Sequence, residues 1–228
     1  MINILSSHSI YGRQDVIPVL KKYIKEDSKI CVIAFSFFNV AFRQDLYEAS
    51  YTAPEGRWYL HILTPLLNYG IKEENVNWII YDKDTIESAK AKIETADIIF
   101  LPGGAPDLFV ERLKKYDLLE YLKNLTNKIF MGPSAGTMIQ FNWFHISPDY
   151  DYKKFMLSEG LDLIRDFGVE VHYRRRRKQK KGIRRVSHLD ERPIYTIHED
   201  GLMILENNKI IYQKNAVKYY EKGRKIRY

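Results

Sequence analysis

The chain is poor in several things that would otherwise set its class. Of its 228 residues only one is cysteine, Cys31, so no disulfide can form within it. Cys31 lies inside the apolar run 30–35 and reads as a buried structural thiol. Its eight prolines and twelve glycines are scattered, and no Pro/Gly/Ser-rich stretch divides the chain. The longest apolar stretch, 30–42, is interrupted by Ser36 and Asn39 and is too short to span a bilayer. The first eight residues carry no basic segment followed by an apolar core, so no secretory leader is expected and the expected location is the cytoplasm. No Cys/His spacing of zinc type and no Gly-x-x-x-x-Gly-Lys phosphate loop occurs. No metal or organic cofactor is expected.

What is present points to one α/β domain over 1–228. A chain this long buries a sizeable core without staples. Strand-like apolar runs at 2–5, 29–35, 76–81, 97–101 and 128–131 alternate with helical spacing at 15–25, 58–69, 84–94, 107–115 and 118–125. Such alternation predicts a mostly parallel sheet in a three-layer sandwich, with helices on both faces. The last third changes character. Segments 169–173, 194–197, 202–205 and 209–212 read as short strands, and Asn207-Asn208 predicts a tight hairpin turn with antiparallel neighbours.

The strongest chemical signal is Gly132-Pro133-Ser134-Ala135-Gly136, a Gly-x-Ser-x-Gly pattern after an apolar strand and before a helix, predicted over 137–141. This context presents a serine hydroxyl on a strained turn at the carboxyl end of a parallel sheet. A serine needs a base to take its proton and donors to hold the oxyanion. The amide of Ala135 is one candidate donor. Gly103 and Gly104, which follow another predicted parallel strand at the same edge, supply a second, because glycine admits close backbone approach.

Six histidines are available as base. His61 falls within a helical stretch and reads as structural. His145 follows the elbow too closely to reach back. His8, in the loop after the first strand, lies near the right sheet edge. His172 ends a strand candidate and is the preferred base. A carboxylate should orient the ring. Asp149 and Asp151 follow the elbow helix, and Glu199 and Asp200 form a second pair. Spacing alone does not choose among them, and Asp149 is placed ahead of Glu199.

Together, Phe100-Leu101-Pro102-Gly103-Gly104, the Ser-Ala-Gly elbow and Val171-His172-Tyr173 resemble the peptidase E (aspartyl dipeptidase) family, which has the class I glutamine amidotransferase-like fold. The resemblance implies a Ser134–His172 pair with Asp149 as the acid, although the related cyanophycinases use a glutamate. It also implies that Arg177, in Arg177-Lys178-Gln179, clamps the carboxylate of an N-terminal aspartate, as a guanidinium fork can. The chain departs from the family at Ala105-Pro106, at Pro133 and in its basicity.

Net charge is +7, and Arg174 to Arg185 holds nine Lys or Arg among twelve residues. This run reads as a solvated face, as an attractor for acidic substrates near His172, or as a phosphate-binding surface. It has no interleaved aromatics for stacking bases, so nucleic acid is not favoured as a partner. A serine peptidase acting on small peptides, as a monomer or homodimer away from membranes, is the expected function. An esterase of the larger α/β-hydrolase class and a non-catalytic nucleic-acid-binding member of the same fold are the alternatives.

Overall fold

The structure is a computed structural model and describes residues 1–39, 43–52 and 54–226. In chain order it runs β1 (Ile2–Ser6), α1 (Ile17–Leu20), β2 (Ile30–Ile33), α2 (Gln44–Tyr51), α3 (Arg57–Leu67), β3 (Val76–Ile79), α4 (Ile86–Thr95), β4 (Ile98–Phe100), α5 (Pro106–Lys115) and α6 (Leu118–Lys123). It continues with β5 (Ile129–Pro133), α7 (Ala135–Met138), β6 (Trp143–Ile146), β7 (Met156–Glu159), β8 (Gly168–Glu170), α8 (Arg177–Leu189), β9 (Ile194–Glu206), β10 (Lys209–Glu221) and β11 (Arg224–Lys225).

Among the described residues, nine strands form one sheet in the order β11-β10-β9-β1-β5-β4-β2-β3, with β8 also paired to β9, while β6 and β7 form a separate hairpin. The pairs among β1, β5, β4, β2 and β3 are all parallel. β1, β2, β4 and β5 are buried almost throughout, as their continuous apolar runs require for strands covered on both faces. This is the expected α/β architecture, with antiparallel strands at the C-terminal side. Cys31 is buried in β2, where burial pushes its thiol up to about 12.

Several local expectations change. The helical spacing at 15–25 yields only α1, and the flanking residues continue as turns; Val16, Leu20 and Ile24 are still buried. The two strands expected at 194–197 and 202–205 are a single strand, β9. The hairpin turn at Asn207-Asn208 is present, with positive φ of 48° and 65°. The basic run is helical from Arg177 onward. α8 seats Ile183 and Val186, both 0% exposed, beside Tyr173 and Ile194 in a small satellite core. Burial of each such side chain contributes about 1.5–3 kcal/mol, enough to hold the helix down while its cations stay in water.

β9 decides where everything functional sits. Its C-terminal half pairs antiparallel with β1, through Ser6 opposite Leu202, and its N-terminal half pairs parallel with β8, through Glu170 opposite Thr196. β1 and β8 therefore lie end to end along one side of β9 with their carboxyl ends facing. Residues 197–201 of β9 span the gap between them. β5, parallel to β1, brings its own carboxyl end to the same place, with Ser6 opposite Pro133.

Candidate active site

Ser134 leaves β5 at φ 52° and ψ −113°, a strained conformation for a residue with a side chain. Three features hold it there. The N–H of Ser134 donates to the Ser6 carbonyl at 2.9 Å. The buried Thr137 hydroxyl contacts the carbonyls of Ser6 and Gly132 at 2.8 Å and accepts the Ser6 N–H. The flanking glycines press against the Leu101 carbonyl, where a Cβ would lie 2.0 Å away at Gly132 and 1.7 Å away at Gly136. The spacing of the motif thus follows from one backbone oxygen that leaves no room for a methyl group.

The imidazole arrives from β8. His172 has φ 51°, and its N–H donates to Ser7 Oγ at 2.8 Å, while that hydroxyl donates to the Ile197 carbonyl. Gln179 of α8 fastens the segment from the other side. Its amide donates to the His172 carbonyl at 2.8 Å, and its oxygen accepts the Arg174 N–H at 2.9 Å. His172 Nε2 lies 2.9 Å from Ser134 Oγ, and Nδ1 lies 3.1 Å from Glu199 Oε2. A carboxylate can only accept, so Nδ1 carries the proton and Nε2 is free to take one from the serine.

The carboxylate on the ring is therefore Glu199, in the span of β9 between β1 and β8. Asp149, preferred on sequence, does not occupy this position. It lies in the connection between β6 and β7, where its Oδ1 accepts the N–H groups of Asp151 and Tyr152 at 2.9 and 2.8 Å and closes a turn. It lines the cleft but makes no bond to His172.

Three basic side chains surround Glu199. Arg174 Nε bonds Oε1, while His8 Nε2 and His172 Nδ1 both address Oε2. Burial alone would raise this carboxyl, but Arg174, His172 and His8 outweigh it and hold the group at about 2. His172 itself is lowered from its ordinary value, first by burial and then by the charges of His8 and Arg174, which together exceed the opposing effect of Glu199. A ring so placed is neutral at neutral pH, as a general base must be.

The oxyanion candidates are close. A Cβ on Gly103 would be 3.4 Å from Ser134 Cβ, so this loop borders the serine. Gly104 has φ 145°, and a Cβ there would lie 2.1 Å from the Ser36 carbonyl, which also accepts the Ala105 N–H. Among the described residues no acceptor takes the N–H of Gly104 or of Ala135.

The site opens into a cleft of about 810 Å³ whose walls differ in charge. The β6–β7 connection contributes Asp149 and Asp151, the approach to α8 contributes Arg174 and Arg176, and the first turn of α8 contributes Lys178. Arg177, implied by resemblance as the substrate clamp, is exposed and does not line the cleft; its two neighbours do. One step along a helix turns a side chain by about 100°, which carries Arg177 off that wall. Glu170 and Ser147 escaped the sequence reading, and His145, set aside there as a base, joins them. Buried His145 Nε2 meets buried Glu170 at 2.7 Å, and Ser147 Oγ donates to the same oxygen at 2.8 Å, forming a polar group in the cleft wall. Glu170 lies two residues before His172 and had no spacing pattern to reveal it.

A strained serine at a parallel sheet edge, a neutral imidazole and a carboxylate in line define a hydrolase of the nucleophile-elbow type. The chain matches Peptidase family S51 over residues 55–213, and it belongs to that family of serine-type peptidases. Among solved structures it is similar to a candidate peptidase E protein from Listeria monocytogenes EGD-e, with TM-score 0.62 and 18% identity over 93% of this chain and 97% of that one. A peptidase from an acI-B1 Actinobacterium gives TM-score 0.58 and 16% identity, over 98% and 91%. At these identities the structural likeness speaks for the fold alone. No curated protein matches by sequence. Among the described residues no helix is long and apolar enough to cross a membrane.

Proposed function

We propose that the protein hydrolyses short peptides with an acidic N-terminal residue through a Ser134–His172–Glu199 line and an acyl-enzyme. The observation that carries this reading is His172 within hydrogen-bond reach of both Ser134 Oγ and Glu199 Oε2. His172 Nε2 takes the hydroxyl proton as Ser134 Oγ attacks the peptide carbonyl. Glu199 stabilises the imidazolium that forms. The carbonyl oxygen, now negative, rests on the amides of Ala135 and the Gly103-Gly104 loop. Collapse breaks the C–N bond, and the proton passes from His172 to the leaving amine. Water then repeats the sequence on the ester, freeing the acid and Ser134.

Substrate charge follows from the walls of the cleft. Arg176 and Lys178 suit an acidic side chain, and Asp149 and Asp151, which line the same cleft, suit a free α-amino group. A dipeptide library assayed on wild type and Ser134→Ala tests both parts. Turnover should favour N-terminal Asp or Glu and vanish in the variant. A fluorophosphonate probe should label wild type alone, and labelling that persists in Ser134→Ala removes Ser134 as nucleophile. Cleavage of acetyl esters in preference to dipeptides would instead place the chain with general esterases.

A further inference from the structure

The mechanism uses one nitrogen pair around Glu199 and leaves His8 without a task. His8 extends from the loop after β1, its side chain 53% exposed, and its ring sits edge-on to His172 with centroids 4.5 Å apart. Its Nε2 addresses the same carboxylate oxygen that His172 Nδ1 addresses, while Arg174 occupies the other oxygen. His8, His172 and Glu199 can each offer one ligand atom, and these atoms lie within 4.8 Å of one another. Two imidazole nitrogens and one carboxylate oxygen form a donor set that suits zinc and neighbouring borderline cations. The Glu199 oxygen already touches both imidazole nitrogens, and an ion seated among them needs donor atoms on the order of 3.3 Å apart, for bonds of about 2.0 Å in tetrahedral arrangement. The adjustment falls on His8, the exposed member on a loop.

We propose that His8, His172 and Glu199 bind a zinc-class divalent cation and that its binding switches hydrolysis off. Binding rests on the convergence of the three side chains, and the switching rests on the reading of Ser134 and His172 given above. The chemistry of inhibition is specific. The ion takes the lone pair of His172 Nδ1, so the proton of the neutral ring must reside on Nε2. Nε2 then points an N–H at Ser134 Oγ and has no lone pair with which to accept its proton. Glu199 is at the same time drawn from the ring to the ion. The substrate walls of the cleft are untouched, so kcat falls while KM stays.

The test separates binding from turnover. Zinc chloride is titrated against a chromophoric chelator in the presence of Ser134→Ala protein, which needs no activity to report. One ion per chain is expected. Adding His8→Ala should weaken that binding at least tenfold, whereas His188→Ala, a change at an exposed histidine on α8, should leave it unaltered. In the active enzyme zinc should depress kcat of dipeptide hydrolysis, a chelator should restore it, and His8→Ala should require at least tenfold more zinc for the same inhibition. His8→Gln replaces His8→Ala if the latter does not fold, since it keeps a donor for Glu199 without the imidazole lone pair. Zinc affinity unchanged by loss of His8, or no competition with the chelator, overturns the site. An active wild type indifferent to zinc overturns this proposal alone. A wild type that turns over no peptide yet binds zinc through His8 sustains the site and removes the hydrolase reading.

Discussion

Changing Glu199 to glutamine keeps the shape of the side chain on β9 and removes its charge. The carboxylate oxygen is 3.1 Å from His172 Nδ1, and the centres of the two charges are about 4 Å apart once the ring is protonated. At an effective dielectric near 20 this attraction is about 4 kcal/mol, or about a thousandfold in rate. Either orientation of the new amide adds to the loss. With its NH₂ toward Arg174, the guanidinium loses its partner oxygen and stays beside the ring to oppose the imidazolium. With its NH₂ toward Nδ1 instead, the amide favours the wrong tautomer. The expected fall in kcat/KM is therefore about 10²- to 10⁴-fold, carried by kcat. Asp149→Asn is the decisive companion, because it removes an exposed carboxylate that closes a turn and does not touch the ring. It should change kcat/KM by less than about fivefold. Steady-state kinetics on an aspartyl dipeptide, with circular dichroism to check folding, reads both. The reasoning is refuted if Glu199→Gln keeps more than about a tenth of wild-type activity, or if Asp149→Asn falls as far.

Further outcomes follow from the same geometry. Because His172 is lowered and works as a neutral base, the acid limb of kcat/KM against pH should have its midpoint below the ordinary 6.5; Glu199→Gln should move it lower still, since Glu199 raises the ring, and an upward move would contradict this electrostatic account. Gly136→Ala puts a methyl group 1.7 Å from the Leu101 carbonyl and should lower stability by on the order of 3 kcal/mol, seen as an early denaturant midpoint, while a wild-type midpoint would show that the elbow can give way. Gln179→Leu frees the carbonyl of His172 and should cut kcat about tenfold with the melting temperature nearly preserved; an unchanged kcat would mean that Ser7 alone fixes the ring. Arg176→Gln with Lys178→Gln should raise KM for acidic dipeptides and flatten its dependence on salt, measured between low ionic strength, where the screening length is about 30 Å, and 1 M, where it is about 3 Å.

The elbow could be read from the sequence because steric exclusion writes itself into residue identity. Gly132 and Gly136 are glycine for one reason, the Leu101 carbonyl, and the apolar strand before them is local information. The His172 position could be read for a similar reason, as the end of a short apolar strand. Glu199 could not be chosen, because its place depends on β9 running unbroken through His198-Glu199-Asp200-Gly201. That polar tetrapeptide ending in Asp-Gly has the composition of a turn. It stays extended because Ser7, Tyr173 and the ladders of β1 and β8 claim its backbone from both ends, which are contacts with residues far away in sequence. α8 was hidden by its own charge. Only Ile183 and Val186 are its buried apolar side chains, too few for helical periodicity to show among six Lys and Arg. The resemblance implies Asp149 as the acid, but a matching place along the chain does not fix distance in space.

The acid thus belongs to the longest ladder of the molecule, while the groups that face a substrate sit on an excursion between two hairpin strands and on a helix held by a few apolar side chains. Insertions or substitutions in those outer pieces can retune what is cleaved with little disturbance to proton transfer. The converse does not hold: Glu199 stands between stretches of β9 tied to β1, β8 and β10, so moving the carboxylate disturbs the strands that make the fold.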